Sequence, residues 1–444
     1  MDVLIAAAVF LAALIVCLVC GADLFWALAL TFLALVLCGL RRGKTLRELR
    51  TMVRRELPGV FIVIRILCYV GLLTGLWRSS GTIAFFIWYG MRIIPPQLFL
   101  LLAFVLSALL SYAIGTSFGV TSTAGVMLIA LARAGGVPVP IAAGVILSGV
   151  YFGDRGAPTS SCAAMNAAIT KTDHYGNVRR MLKTAALPIL LTLIVYTVLS
   201  LRNPITRVDT ALLTALEERF TISWPLILPA LIMLLLPLLK LPIRLCMGIS
   251  ALSAFALSVF VQRMGLLDAL RAAILGYAPG GVLESVLSGG GLLSMVSTML
   301  LLLFAAGCTG IIDGLRLLSP AQDALARLSR RIGRFPAICV ASLLSAMIFC
   351  NQTIALVFCR ELMESTYLAQ GTTREELAED IACSVVTLSG LVPWCIACSV
   401  PLTMLGAPFA AIPYACFLYL VPLCYFFTKR FFFPKPKTDE VTAV

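Results

Sequence analysis

Apolar runs of about twenty residues, the length that crosses a bilayer as a helix, recur along this chain almost from end to end. Val60 to Trp77, Gln97 to Ile114, Thr184 to Leu201 and Leu292 to Ile312 are the plainest. In hydrocarbon only helices and closed barrels satisfy their own backbone groups, and the short alternating segments of a barrel do not occur here. With 12% charged residues and a mean hydropathy of +1.02, the sequence specifies an all-α polytopic membrane protein and excludes a soluble domain. Span lengths lead us to expect roughly 12 to 14 crossings. Val3 to Cys20 lacks a basic lead and a small-residue cleavage site, so we read it as a retained helix.

The net charge of +13 is a membrane signature rather than a nucleic-acid one, because Lys and Arg collect at the ends of apolar runs, where they meet anionic headgroups. The expected partners are the lipid bilayer, a small-molecule or ion substrate and a second copy in a homodimer, with no nucleic acid. The 15 cysteines lie scattered among apolar residues without metal-type pairing and read as small hydrophobes. The lone His174 falls in a polar loop and reads as solvated. With no other His, an intramembrane enzyme lacks its usual base or metal ligands. No cofactor is expected beyond Na+ and H+ as coupling ions.

Taken in order, the chain falls into two similar halves. Val3 to Cys20 and Leu24 to Leu40 form a hairpin turned at Gly21-Ala22-Asp23. Arg41 to Glu56, with seven basic and two acidic residues, reads as an amphipathic helix lying on the cytoplasmic surface of the membrane. Spans at Val60–Trp77 and Gln97–Ile114 flank a short piece, Ile83 to Ile94. Gly115-Thr116-Ser117 opens the next segment, and Ile141 to Ile169 is interrupted by the polar stretch Tyr151 to Ser161. A basic loop, Lys171 to Lys183, precedes the span Thr184–Leu201. After a polar link the same order recurs: a hairpin (Pro225 to Leu239, Ile243 to Val261), an amphipathic piece (Arg263 to Tyr277), a span (Leu292 to Ile312), then Asn351-Gln352-Thr353 and Leu388 to Trp394 at the positions of the first-half breaks.

Four pairs of equivalent loops differ in charge, basic in one half and neutral or balanced in the other, for example Lys171–Lys183 against Pro401–Pro413. Cytoplasmic loops carry the Lys and Arg, so equivalent loops fall on opposite sides. The expectation is two inverted-topology repeats with broken or re-entrant helices meeting near the bilayer midplane. Residues 1–202 form the first repeat, 203–223 a polar linker, 224–430 the second repeat and 431–444 a short cytoplasmic tail. Both termini are expected on the cytoplasmic side of the cell inner membrane.

Broken backbone at membrane depth lines a cavity, so the candidate site lies at the breaks. Asp154 is about 13 residues into its segment, some 20 Å along a helix. An ionisable group at such depth is expensive and reads as functional; the alternative is an ion pair with Arg155. Thr116, Ser117, Thr159, Ser160 and Ser161 offer hydroxyl oxygens, and Asn351, Gln352 and Thr353 offer amide and hydroxyl groups. Arg360, Glu361 and Glu364 follow on one helix, where Arg360 and Glu364 at i,i+4 suit either a salt bridge or a proton or cargo site. Asp380, beside Glu375, Glu376 and Glu379, is a further such candidate, set against a solvated helix start.

At these residues the chain resembles the NhaC-type sodium/proton antiporters, within the inverted-repeat ion transporters. The likeness rests on Ser148-Gly149-Val150-Tyr151-Phe152-Gly153-Asp154-Arg155-Gly156-Ala157-Pro158-Thr159-Ser160, then Thr170-Lys171-Thr172-Asp173, and on Gln352-Thr353, Glu379-Asp380 and Leu391-Val392-Pro393-Trp394. It implies a secondary active transporter, a Na+/H+ antiporter-like exchanger of a monovalent cation or small charged metabolite, with Na+ at Asp154. The alternative is a Na+- or H+-coupled carrier of an organic anion or amino acid. Asn351 stands where relatives look to have an acid, and Ser161 where some have Asp, which removes two carboxylates from the pattern.

Overall fold

The computed structural model describes residues 8–10, 12–13, 16–17, 23, 25–205, 210–239, 241–315, 321–369 and 371–433. Most of the expected Val3–Cys20 helix and its turn, and residues 434–444 of the expected tail, lie outside that set. The described residues form helices joined by turns, with one isolated antiparallel bridge, Tyr277 to Gly289, and no strand.

The first part of the chain runs α1 (Phe25–Arg41), α2 (Leu46–Ser79), α3 (Thr82–Ile93), α4 (Phe99–Ile114), α5 (Ser117–Ala134), α6 (Val139–Gly156), α7 (Ser161–Thr170) and α8 (His174–Arg202). The second runs α9 (Thr210–Arg219), α10 (Leu228–Leu238), α11 (Ile243–Phe260), α12 (Leu266–Leu275), α13 (Val296–Gly314), α14 (Ala321–Ile332), α15 (Arg334–Phe349), α16 (Gln352–Ala369), α17 (Arg374–Leu388), α18 (Ile396–Leu405) and α19 (Cys416–Phe432).

Among the described residues six helices are long and apolar enough to cross a membrane, or eight when each of two bent pairs counts as one span. Gly, Pro and polar caps cut the other apolar stretches behind the expected 12 to 14 crossings into shorter pieces, such as the 12-residue α3 and the 10-residue α18. The Arg41–Glu56 segment is not a separate surface helix. Thr45 and Glu48 form a capping box, and from there α2 runs unbroken for 34 residues through Pro58, so its polar turns lead directly into its apolar ones. The expected basic loop Lys171–Lys183 is mostly the start of α8, nucleated by Asp173, whose carboxylate accepts from the Gly176 N–H at 2.5 Å. The polar link likewise contains α9, which buries Leu212 and Leu216.

Four helices are enclosed almost entirely. In α6 every residue from Ile141 to Gly156 except Phe152 is buried, α17 is buried from Glu376 onward, and α5 and α18 have no exposed residue. Other helices bury one side and expose large apolar side chains on the opposite one; Leu187, Leu190, Ile194 and Val198 of α8 are examples. A solvated helix would carry polar groups there, so this outer face is a lipid-facing one.

Small residues let α6 approach its neighbour. A Cβ on Gly149 would lie 2.6 Å from Ser107 Cβ, and one on Gly153 would lie 2.0 Å from the Ser111 carbonyl carbon, so α4 and α6 touch backbone to backbone, as small residues permit between membrane helices. The Ser111 hydroxyl donates to the Val150 carbonyl across that seam.

Candidate functional site

Two helix breaks with the same backbone device meet beside the end of α6. In the first, α4 stops at Gly115, whose left-handed φ of 77° ends the helix; Thr116 then caps α5, its hydroxyl accepting the Gly119 N–H at 3.5 Å. In the second, α15 stops at Cys350, with φ 53°, and Asn351 Oδ1 accepts the Thr353 N–H at 2.9 Å to cap α16. Both new helices therefore begin with free N–H groups and the positive end of a dipole at the same depth in the chain's pattern. α5 continues through a π-helical turn, Thr121–Gly125, a distortion frequent at functional sites.

Asp154, 8% exposed, lies in the last turn of α6. Its carboxylate accepts from Gln352 Nε2 at 3.3 Å and faces the backbone N–H and hydroxyl of Ser117. Gln352 also donates to Cys162 Sγ at 3.1 Å. The buried Tyr151 hydroxyl donates to the Ala397 carbonyl at 2.6 Å and stands 3.5 Å from Gln352 Oε1. The Ile396 N–H donates to the Cys350 carbonyl at 2.8 Å, and Trp394 Nε1 donates to Met347 at 2.9 Å, so the start of α18 is tied to the second break. Around these groups lies a cavity of about 600 Å³. Thr116, Ser117, Asp154, Ser161, Asn351, Gln352 and Thr353 all line it, so seven residues singled out in the sequence share one space.

The remaining candidates lie elsewhere. Thr159 is exposed and packs on Gly115. Ser160 is buried, but its hydroxyl is spent on local structure, donating to the Asp154 carbonyl at 2.5 Å and accepting the Ala163 N–H at 3.2 Å. Arg360 and Glu364 form an ion pair at 2.6 Å, half-buried, and Glu361 is exposed; none of the three lines the cavity. Nor does His174 behave as a solvated loop residue: it opens α8, and its Nε2 donates to the Pro158 carbonyl at 2.9 Å, pinning the break between α6 and α7.

The alternative reading, an ion pair of Asp154 with Arg155, is not what forms. Adjacent helix positions point apart, and Arg155, 1% exposed, pairs with Glu379 at 2.9 Å. It also donates to the carbonyls of Met181 and Ala382 and to Thr184 Oγ1. Asp380 is not at a solvated helix start: it is fully buried, accepting from the hydroxyls of Tyr367 at 2.5 Å and Tyr425 at 2.9 Å and from Lys429. Glu376 joins the same cluster, pairing with Lys429 at 2.8 Å and Arg334 at 3.3 Å. Buried charges persist when paired, and here the cations come from α6, α15 and α19. This cluster fastens α17 to its surroundings behind the cavity.

Sequence reasoning missed Cys162 and Glu56 at the cavity. Cys162 follows the Asp154 motif within the apolar run and carries no signal of its own. Glu56 was hidden in the polar start of α2.

A cavity at two broken helices of a polytopic membrane protein, with a carboxylate at its buried end, defines a secondary transporter. The chain belongs to the Na+/H+ antiporter family, whose profile matches residues 149–428. It is 27% identical over 376 residues to the Malate-2H(+)/Na(+)-lactate antiporter of Bacillus subtilis, covering 83% of this chain and 80% of that one. To the Na(+)/H(+) antiporter NhaC of Alkalihalophilus pseudofirmus it is 26% identical over 369 residues, 81% and 79% of the two chains. To the arginine/ornithine antiporter ArcD of Halobacterium salinarum it is 27% identical over 306 residues, 67% and 62%. The NhaC-type resemblance read from the breaks is thus met by most of the chain.

Proposed function

We propose that this transporter exchanges Na+ for H+ at the Asp154 cavity, the two cations competing for one carboxylate. One observation carries the reading: Asp154 is buried, its partners are the neutral Gln352 and Ser117, and among the described residues no Lys or Arg forms an ion pair with it. A buried carboxylate without a cationic partner costs several kcal/mol, and either a bound proton or a bound Na+ removes that cost. The hydroxyl of Ser117 and the amide oxygens at the second break supply the hard oxygen ligands such a cation takes in place of water. Because the same oxygens serve both ions, loading one requires releasing the other, and alternating exposure of the cavity couples their flows.

The alternation is built, in this reading, from two inverted repeats, residues 1–202 and 224–430, joined by 203–223, in the cell inner membrane with both termini cytoplasmic. The matched devices at Gly115-Thr116-Ser117 and Cys350-Asn351-Gln352 support it, as does the order of elements around them.

The test is flux in proteoliposomes with separately imposed Na+, H+ and metabolite gradients. A Na+ gradient alone is expected to drive proton movement, and Asp154→Asn, folded and inserted, is expected to lose it. Unchanged coupling in that variant, or an obligatory organic substrate, would overturn the assignment.

A further inference from the structure

We propose that Glu56 is a second carboxylate of the exchange pathway, a capture site for a monovalent inorganic cation at the mouth of the Asp154 cavity. The inference rests on the Na+/H+ reading above and adds to it a residue that the sequence pattern placed on the membrane surface.

The same cavity that holds Asp154 is walled on one side by Arg55, Glu56, Gly59, Val60 and Val63 of α2. The cavity's exposed lining residues include Ser161, Thr353 and Arg55, so it opens to the surface there, while Asp154 lies at its buried end. Glu56 is half-buried in this opening. Among the described residues it forms no ion pair: the salt bridges of α2 stop at Lys44–Glu48, and the charge felt from the helix packed against it, α13, is another carboxylate, Asp313. Arg55 is the adjacent residue on the same helix, and adjacent side chains project about 100° apart, so it stands at the mouth without neutralising Glu56.

A partly desolvated carboxylate facing a second negative group is unfavourable until a cation joins it, and such a group at the neck of a low-dielectric cleft concentrates cations there. The chemistry selects a small cation over an anion. It also gives each neighbouring charge a sign: Glu56 lowers the free energy of a Na+ approaching Asp154, and Arg55 raises it. Since both act on binding rather than on the exchange step at Asp154, they act on KM and leave the maximal rate nearly alone.

The experiment uses the full chain in proteoliposomes and measures proton flux against Na+ concentration. Glu56→Gln is expected to raise the KM for Na+ about fivefold, equivalent to about 1 kcal/mol at 1.4 kcal/mol per decade, with the maximal rate within about twofold of wild type. Glu56→Asp is expected to restore most of the affinity, and Arg55→Gln to shift KM the opposite way, downward. Should Glu56→Gln insert poorly, the downward shift in Arg55→Gln and the near-normal KM in Glu56→Asp still decide the matter. A wild-type flux with KM unchanged in Glu56→Gln and Arg55→Gln overturns the Glu56 assignment alone. A wild-type protein that moves no protons with Na+ overturns the exchange reading and this inference with it.

Discussion

Replacing Glu379 by alanine isolates what fastens the end of α6 to α17. Arg155 is 1% exposed, and Glu379, also 1% exposed, is the carboxylate it pairs with, at 2.9 Å; without it the guanidinium keeps only the neutral acceptors of Met181, Ala382, Thr184 and Cys383. Removing one member of a buried pair costs about 3–5 kcal/mol, because the other charge is stranded away from water. The intact pair is itself imperfect, since Glu379 Oε2 is buried without a hydrogen-bond partner, so its net contribution over an apolar pair of like volume is close to nil. The double variant Arg155→Met/Glu379→Leu is therefore expected to recover stability to within about 1 kcal/mol of wild type, while Glu379→Ala alone loses about 3 kcal/mol or more. The assay is equilibrium unfolding of the purified protein in mixed micelles. A single variant costing under about 1 kcal/mol, or a double variant as unstable as the single, would refute the reasoning.

Two further changes probe the scaffold. Gly153→Ala is expected to destabilise by about 1–3 kcal/mol or more, because its Cβ would meet the Ser111 carbonyl carbon at 2.0 Å, about 1.5 Å inside normal contact; thermal unfolding checks it, and the displaced Asp154 should weaken Na+ affinity in the same preparation. Asn351→Ala is expected to cost about 1 kcal/mol through loss of the α16 cap, whereas Asn351→Asp, which keeps the accepting oxygen, should remain near wild type in the same unfolding measurement.

The helix breaks were legible in the sequence because breakers and caps act locally: Gly115 and Asn351 determine where one helix stops and the next starts whatever surrounds them. That is why seven of the candidate residues converge on one cavity. What was illegible depends on distant partners. Glu375, Glu376, Glu379 and Asp380 read as a solvated acidic run, yet the last three are buried, since Arg155, Arg334 and Lys429 arrive from other helices. Glu56 was hidden for a related reason. A polar stretch of helical period looks the same whether it lies on a membrane surface or forms the first turns of a longer helix beside a cavity, and α2 runs on through Pro58 without a break.

The most direct test of the central claim is calorimetric Na+ binding to the purified protein in buffers of different ionisation enthalpy, which counts the protons released per cation bound. Competition for the Asp154 carboxylate requires that Na+ binding release protons in the wild type below the pH at which that group has already lost its proton, and that Asp154→Asn neither bind Na+ nor release protons there. Sodium binding of wild-type strength in Asp154→Asn, or binding with no proton release at any pH, would contradict it.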